Sequence, residues 1–300
     1  AQINDDFIAS ARKKLLSARN LRVTPDLDTK VITSWNGLML AAFAEAASVL
    51  NRPDYAEVAK TNANFLIRTL RPNVRLLRTY KDGIAKLNGY FEDYAFVIRG
   101  LISLHEATFE EEWLHQAIDL ATQMVDLFWE ESSKRFYDTG RDHEKLILRP
   151  RDITDNAVPS GNSMAADILL RLGIYTGMPD FHRKATTALR SAQEIMVRFP
   201  TASGHWLTTL DFYLSNPKEV VIVGTRGEED TELLVQEVFL RFVPNRVLLG
   251  LAESTSAIPD LALAESRTKI NNRATAYVCE NYACMMPVND PTALAEQLTN

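Results

Sequence analysis

Apolar residues recur along the chain with helical spacing, and the helices that they predict come in pairs. Within each predicted helix the apolar side chains follow the i, i+3, i+4, i+7 pattern of an amphipathic helix. The predicted helices lie in the segments 35–50, 58–70, 94–102, 113–128, 164–175 and 181–199. Short breaks, Asn51-Arg52-Pro53 and Gly177-Met178-Pro179 among them, separate the two helices of a pair. A repeated helical hairpin predicts a repeat architecture whose units bury one another's faces.

The links between the pairs are much longer than the links within them. Residues 71–91 and 132–159 join successive pairs. The first link contains an extended run that turns at Lys81-Asp82-Gly83, and the second contains the extended runs 136–138 and 146–148 around Thr139-Gly140. Because antiparallel helices place every second connection at the same end, we expect the long links to share one rim. Long ordered loops usually carry function, so we look for a site there.

The pattern changes after His205. A β-branched run at 219–223, an acidic helix at 230–241 and an apolar run at 247–251 predict a small βαβ unit. Its turn, Gly224-Thr225-Arg226-Gly227, matches neither common glycine-rich nucleotide motif, which favours a structural role. We therefore predict a mainly α chain with helical hairpins in residues 1–215 and a small α/β element with the C-terminal segment in residues 216–300.

Polar clusters stand directly before the first helix of each pair. Helix capping explains one residue in each cluster, because a side-chain oxygen there accepts from free amide groups and an acid complements the helix dipole. The clusters contain more amides, carboxylates and aromatic rings than capping requires, and these are the groups that bind sugar hydroxyls and sugar ring faces. The predicted substrate-binding residues are Trp35, Asn36, Glu92, Tyr94, Asn156, Ser160, Asn162, His205 and Trp206.

Glycosidic bond hydrolysis generally uses two carboxyl groups, one as acid and one as base or nucleophile. Asp93 and Asp155 are the predicted pair and Asp28 is a third candidate, so a hydrolase that uses this pair requires that Asp93 and Asp155 converge on one cavity. A helix N-terminus lowers a carboxyl pKa, which disfavours Asp93 as the acid unless burial outweighs the dipole. His205 is the candidate base for an epimerase. A sugar binder without catalysis and a structural, partner-binding domain are the alternatives.

Composition and charge limit the classes of partner that the chain is expected to bind. Among 300 residues 46% are hydrophobic and 24% charged, which is typical of a folded globular protein. The net charge of -6 argues against nucleic acid and anionic membrane as partners. The longest apolar stretch, residues 38–44, is too short to span a membrane. With no leader-like pattern at the start of the sequence, we expect a cytoplasmic protein.

Cys279 and Cys284 are the two cysteines of the chain. Their spacing is wider than that of a Cys-x-x-Cys redox motif, so we expect a packing role, with a disulfide or metal binding as alternatives. His105 lies between apolar residues of a predicted helix and is expected to pack in the core. No histidine or cysteine pair has the spacing of a metal site, and we predict neither a metal nor a cofactor.

Several motifs in order along the chain resemble one protein family. They are Asp28-Thr29-Lys30, Trp35-Asn36-Gly37-Leu38, Glu92-Asp93-Tyr94-Ala95-Phe96, the run from Asp155 to Ser163, and Tyr277-Val278-Cys279 with Cys284. Together they resemble the C-terminal part of the spermatogenesis-associated, thioredoxin-domain-containing proteins.

The resemblance implies a longer protein, in which a thioredoxin-like domain precedes an (α/α) toroid of the six-hairpin glycosidase kind. Such a toroid is similar in architecture to the N-acylglucosamine 2-epimerases. This chain would supply about half of the hairpins, a partial toroid. The implied activity is sugar hydrolysis or epimerisation in a rim pocket. The implied partners are a small-molecule carbohydrate and the thioredoxin-like portion or another chain.

Overall fold

The computed structural model describes residues 5–252, 261–280 and 283–299. The chain forms two compact units, one up to Lys30 and one from Val31 onward. The first unit contains helix α1 (Asp5–Asn20), which buries none of its residues, and an irregular segment that leads to Lys30. The domain boundary that the sequence suggests after residue 215 stays a prediction.

The second unit begins with three helical hairpins followed by two further helices. These helices are α2 (Thr33–Val49), α3 (Pro53–Thr69), α4 (Phe91–Thr108), α5 (Glu111–Phe128), α6 (Gly161–Thr176), α7 (Pro179–Ser191), α8 (Gln193–Arg198) and α9 (Gly204–Leu214). Pro53 and Pro179 open α3 and α7, where a fixed φ and a missing N–H cost nothing. Gly177 ends α6 with a φ of 68°, a left-handed conformation that glycine adopts without strain.

The first helices of the hairpins form the inner layer of the unit. Helix α4 packs between α2 and α6, and α9 packs against α6. The backbones of α2 and α4 come very close, because a Cβ atom on Gly37 would lie 2.6 Å from the carbonyl carbon of Phe96. Fifteen of the residues of α4 are buried as a result of these contacts on several sides. The inner layer thereby fixes where the loops that precede α4 and α6 stand.

Short strands occupy the links between hairpins. Strands β1 (Val31–Ile32), β2 (Leu77–Lys81) and β3 (Ile84–Asn88) form an antiparallel sheet, and β4 (Trp129–Glu130) pairs with β5 (Arg135–Phe136). Asp82 and Gly83, both at positive φ, make the β2–β3 turn that the sequence predicts. The extended run expected at 146–148 forms no strand, and Ile147 is fully exposed. Nearby, the backbone amide of Asp138 donates to the carbonyl of Pro150, a contact between loop residues outside any strand.

The C-terminal element contains the predicted βαβ unit and a second sheet edge. Its members are β6 (Lys218–Val223), α10 (Glu229–Leu240), β7 (Arg246–Leu251), β8 (Thr275–Glu280), β9 (Ala283–Cys284) and α11 (Pro291–Thr299). The strand order is β7-β6-β8-β9, and β6 and β7 are parallel.

The two faces of this sheet lie in different cores because alternate residues of a strand point to opposite sides. Val221 and Leu249 belong to the core of the hairpins, whereas Ile222 and Leu248 belong to a core with α10 and α11. The hydroxyl of Tyr175 on α6 donates to the carbonyl of Leu248 at 2.9 Å. The expected fold class, mainly α helical hairpins with a small C-terminal α/β element, is confirmed.

Candidate functional site

The two long links meet at one cleft of about 280 Å³, which we call the rim cleft. The first link supplies β2 and the start of α4, and the second supplies the loop between β5 and α6. The lining residues are Arg78, Tyr90, Glu92, Asp138, Thr139, Pro150, Asp152, Thr154, Asn156, Val158, Pro159, Ser160 and Gly161. The links therefore share a site, as the alternation of short and long connections predicts.

Asp138 is a carboxyl group of the rim cleft whose pKa is raised. Burial raises its pKa to about 6, although a hydrogen bond from the amide of Asp152 to its Oδ2 atom, at 2.8 Å, acts in the opposite direction. The negative charges of Asp152 and Glu92 raise the pKa further. A carboxyl group with this pKa is present in both protonation states near neutral pH, so it can donate or accept a proton.

The backbone around Asp138 ties the two links together. Its amide donates to the carbonyl of Pro150 at 2.9 Å, and its own carbonyl accepts from the amide of Phe91 at 3.0 Å. Phe91 is the first residue of α4, so the loop that carries Asp138 satisfies one of the free amides of that helix start. The position of the carboxyl group is therefore set by the helix beside it.

Arg78 provides the positive charge of the rim cleft. Its Nη1 atom lies 3.1 Å from Oε1 of Glu92 and 3.1 Å from Oδ2 of Asp93. The guanidinium lies 4.7 Å from the centre of the Tyr90 ring, which stacks on the ring of His143 at 5.1 Å. Arginine, carboxylate and aromatic ring thus form one packed group along a wall of the cleft.

Asp93 lies behind this wall and does not line the cleft. Its side chain has no exposed surface, its Oδ1 accepts from the amide of Ser34 at 2.9 Å, and its Oδ2 accepts from the amide of Tyr90 at 2.8 Å. One carboxylate thus caps both α2 and α4. Burial raises the pKa of Asp93 to about 6, and the charge of Arg78 opposes that rise. Burial therefore raises the Asp93 pKa by more than the helix start lowers it. The sequence alone did not decide which of these two effects is larger.

Asp155 holds an equivalent position one hairpin further on. Its Oδ1 accepts from the amide of Ser160 at 2.8 Å and from Oγ of Ser163 at 2.6 Å. Its Oδ2 accepts from the amides of His205 and Trp206 at 2.8 and 3.2 Å. Asp155 therefore links the starts of α6 and α9.

The predicted convergence of Asp93 and Asp155 on one cavity is not found. Each is committed to the amides of two helix starts, and neither lines the rim cleft. Capping, the alternative weighed for these clusters, accounts for both carboxylates. Asp28 lies in the first unit, where its carboxylate accepts from the amide of Lys30 at 3.2 Å and pairs with the ammonium group of the same residue.

Two predicted binding residues lie in the core instead of at a surface. The Tyr94 side chain is fully buried, and its hydroxyl accepts from Nη1 of Arg75 at 2.7 Å and from the amide of Leu76 at 3.1 Å. The Trp206 ring is also fully buried, and its indole N–H donates to the carbonyl of Ile153 at 2.8 Å. Their polar atoms bond the links to the helices, and neither side chain lines the rim cleft.

His205 and Asn162 are also turned inward. Nε2 of His205 lies 3.9 Å from Oδ2 of Asp167, and burial lowers the His205 pKa against the pull of that carboxylate. Asn162 is 1% exposed and donates to the carbonyl of Asp152 at 2.8 Å. Neither side chain lines the cleft, and Asn162 instead supports the loop that does.

The remaining predicted residues divide between the cleft and the start of α2. Glu92, Asn156 and Ser160 line the rim cleft. Trp35 is exposed on α2, and Asn36 beside it donates to the carbonyl of Ile32 and accepts from Nδ2 of Asn62, both at 2.9 Å. These two residues do not belong to the lining of the cleft.

Sequence reasoning missed Arg78, Asp138 and Asp152. Arg78 and Asp138 lie inside the long links, away from the helix starts, whereas Asp152 belongs to the polar cluster that precedes α6 but is not among its predicted site residues. The two aspartates carry a signal that the sequence could have revealed. They stand near opposite ends of one long link, and those ends come close because the link leaves one hairpin and enters the neighbouring one.

The described residues contain no group of three or more His, Cys, Asp or Glu side chains that could hold a metal ion. Among those residues no helix is both long and apolar enough to cross a membrane.

Cys279 and Cys284 form a disulfide, so the favoured packing role is wrong and the alternative of a disulfide is found. His105 is buried and packs edge-on against Tyr175, as expected.

Comparison with known proteins finds relatives over nearly the whole chain. Spermatogenesis-associated protein 20 of Homo sapiens is 36% identical over 306 residues, which is 97% of this chain and 39% of that protein. The Mus musculus protein of the same name is 36% identical and covers 95% of this chain. An uncharacterized protein of Caenorhabditis elegans is 25% identical over 96% of the chain. The chain spans about two fifths of the length of these relatives.

No model of a known protein family matches the chain. Among solved structures, the chain is similar to cellobiose 2-epimerase from Spirochaeta thermophila, with a TM-score of 0.46 and 18% sequence identity. The match covers 56% of this chain and 44% of that one.

Proposed function

We propose that this chain, which belongs to the family of spermatogenesis-associated protein 20, binds a carbohydrate in the rim cleft and that Asp138 exchanges a proton with it. The observation that carries the proposal is the Asp138 carboxyl group, whose pKa burial raises to about 6 within a cleft of about 280 Å³. Perturbed carboxyl groups in clefts are typical of acid–base sites.

The chemistry of the walls favours a sugar as the ligand. Carboxylate, amide and hydroxyl groups of Asp152, Asn156 and Thr154 offer paired acceptors and donors for neighbouring sugar hydroxyls. Pro150 and Pro159 give apolar surface against which the C–H face of a ring can pack. Tyr90 contributes its edge, because Arg78 and His143 both lie against its ring.

In this proposal Asp138 is the residue that transfers a proton to or from the ligand. In a hydrolase the protonated carboxyl group donates to the oxygen of the leaving sugar, and a second carboxylate supplies the base or nucleophile. Glu92 is the lining carboxylate that Arg78 holds in place, so we assign the second role to it. In an epimerase the same Asp138 exchanges a proton at carbon, and Glu92 binds a hydroxyl.

The test uses the change Asp138→Asn, which keeps the shape of the side chain and removes its titration. The matched control is Asp82→Asn in the exposed β2–β3 turn, where Asn tolerates the positive φ of 50°. Both variants and the unchanged chain are screened by thermal shift against mono- and oligosaccharides at pH 5 and pH 7.5, followed by turnover assays with any sugar that binds.

We expect a sugar to stabilise the unchanged chain and the Asp82 variant, with turnover that Asp138→Asn lowers by about a hundredfold or more. If Asp138→Asn keeps both binding and turnover, proton exchange by Asp138 is wrong. If no sugar stabilises the chain at either pH, the carbohydrate proposal itself is wrong. Sugar binding without turnover in any form would support the alternative of a non-catalytic sugar-binding domain.

Other expectations from the sequence stay predictions. They are the lack of a cofactor, of a nucleic-acid partner and of a membrane partner, and the cytoplasmic location. We further propose that the chain works beside a thioredoxin-like portion of a longer protein, which the family resemblance implies.

A further inference from the structure

The disulfide between Cys279 and Cys284 joins β8 to β9, and its two sulfur atoms differ in access. Cys279 is 1% exposed, whereas Cys284 is exposed and lines an open cavity of about 520 Å³. Met178 in the α6–α7 turn and His182 on α7 line this cavity, and so does Arg267. A nucleophile that enters the cavity therefore meets the sulfur of Cys284 and not that of Cys279.

Arg267 lies against both sulfur atoms. Its Nη2 atom is 3.1 Å from Sγ of Cys284 and 3.3 Å from Sγ of Cys279. The guanidinium lies 4.8 Å from the centre of the Tyr277 ring, and the Tyr277 hydroxyl donates to the carbonyl of Thr268 at 2.7 Å. The ring and its hydrogen bond hold the cation in place. A fixed cation beside a sulfur atom stabilises the thiolate and makes that sulfur a better leaving group.

We propose that Cys284 is a thiol-exchange site for a low-molecular-weight thiol. The thiolate of the incoming molecule attacks Sγ of Cys284 and forms a new S–S bond. The Cys279–Cys284 bond breaks, and its electron pair stays on Cys279 as a thiolate beside Arg267. A second thiol then displaces the first from Cys284, releases it as a small disulfide and leaves both cysteines reduced. The protein disulfide is the oxidant, so the exchange needs no other one.

The surrounding sheet tolerates this exchange. Strand β8 pairs with β6 from Glu219↔Cys279 to Val223↔Thr275, on the side away from β9, so we expect that pairing to persist when the disulfide opens. The two cysteines are separated by 5 positions, so the bond closes a short loop and constrains little of the unfolded chain. Reduction is therefore expected to free β9 and the mouth of the cavity and to leave the core intact.

The first test compares single-cysteine variants. Cys279→Ser leaves the exposed thiol and Cys284→Ser leaves the buried one, and each is mixed with oxidised glutathione while intact mass follows the mixed disulfide. We expect Cys279→Ser to react at least about tenfold faster, because reactivity follows access and thiolate content. Equal rates, or a faster Cys284→Ser variant, would overturn the proposal.

A second measurement does not depend on the folding of those variants. The unchanged chain is exposed to reduced glutathione, quenched with acid, alkylated and mapped by peptide mass. Glutathione is expected on Cys284 and the alkyl group on Cys279. The reverse labelling contradicts the proposal.

The role of Arg267 is tested in the Cys279→Ser background. Arg267→Gln is expected to move the pH midpoint of thiol reactivity upward, and Arg267→Lys is expected to restore it, because a positive charge beside Cys284 favours the thiolate form. A purely structural role would leave the pH midpoint unchanged in both variants, and that result would remove Arg267 from the site.

Discussion

Replacing Asp155 by Ala removes one carboxylate that joins the starts of two helices. In the structure that carboxylate accepts two backbone amides of α9, one backbone amide at the start of α6 and the hydroxyl of Ser163. Loss of an aspartate cap costs about 1 kcal/mol for each helix start. The hydroxyl of Ser163, which is fully buried, adds about 1 kcal/mol when it loses its charged partner. We therefore expect Asp155→Ala to lower the free energy of unfolding by about 3 kcal/mol.

Urea unfolding followed by tryptophan fluorescence measures this change. Trp206 is the third residue of α9 and is fully buried, so its emission reports the loss of packing next to the cap. The matched control is Asp152→Ala in the same loop, because the Asp152 carboxylate accepts one amide, that of Thr154 at 2.9 Å. Its expected cost is below about 1 kcal/mol.

A loss of less than about 1 kcal/mol for Asp155→Ala would refute the reasoning, because two helix caps and a buried hydroxyl must cost more than one exposed hydrogen bond. A loss that Asp155→Asn does not partly restore would refute it as well. Asn keeps the shape and one acceptor oxygen, so it is expected to lie between the unchanged chain and the Ala variant.

Three further changes test other parts of the fold. Gly37→Ala places a Cβ atom 2.6 Å from the backbone of α4, so we expect a loss of about 3 kcal/mol in urea unfolding, whereas Gly204→Ala, with no atom within 4 Å, is expected to cost nothing. Burial lowers the pKa of His105 to about 4, so His105 stays neutral in the folded chain at pH values where it binds a proton in the unfolded chain. Stability is therefore expected to fall as the pH drops from about 6.5 to about 4, by up to about 1.4 kcal/mol per pH unit, and His105→Gln is expected to flatten that dependence. Arg75→Met removes hydrogen bonds to the Tyr94 hydroxyl and the Gly89 carbonyl together with the ion pair to Asp142, and is expected to lower the thermal midpoint by several degrees, at a cost of about 1–2 kcal/mol.

Results that contradict these expectations are easy to recognise. Equal midpoints for Gly37→Ala and Gly204→Ala would mean that α2 and α4 do not approach as closely as the structure shows. An unchanged acid sensitivity in His105→Gln would assign it to other groups. A stable Arg75→Met variant would show that the link from β2 to α4 does not depend on that guanidinium.

The helical hairpins follow from local pattern. The apolar spacing in 35–50 and 113–128 specifies helices with one buried face, and proline or glycine at the breaks specifies where one helix ends and the next begins. The β2–β3 turn is likewise local, because Asp82-Gly83 can adopt the positive φ that a two-residue hairpin requires. These features needed no tertiary contact to be predicted.

The missing strand at 146–148 and the disulfide are features that the local sequence pattern does not predict. An apolar run of three residues is compatible with a strand, but it forms one only where a neighbouring strand offers free hydrogen-bonding groups. The disulfide depends on the register of β8 and β9, which places Cys279 opposite Cys284. That register is a property of the folded sheet, which spacing in the sequence does not determine.

The candidate site divides in the same way. The sequence by itself determined that polar clusters stand at the helix starts and that the long links share a rim. Only the tertiary structure decided which carboxylates line the rim cleft. Asp93 and Asp155 accept amides from two neighbouring helix starts each, and this depends on how the hairpins pack, whereas Asp138 is left beside a cleft with a raised pKa. A carboxylate's role is set by the donors that reach it, and most of those donors come from residues distant in sequence.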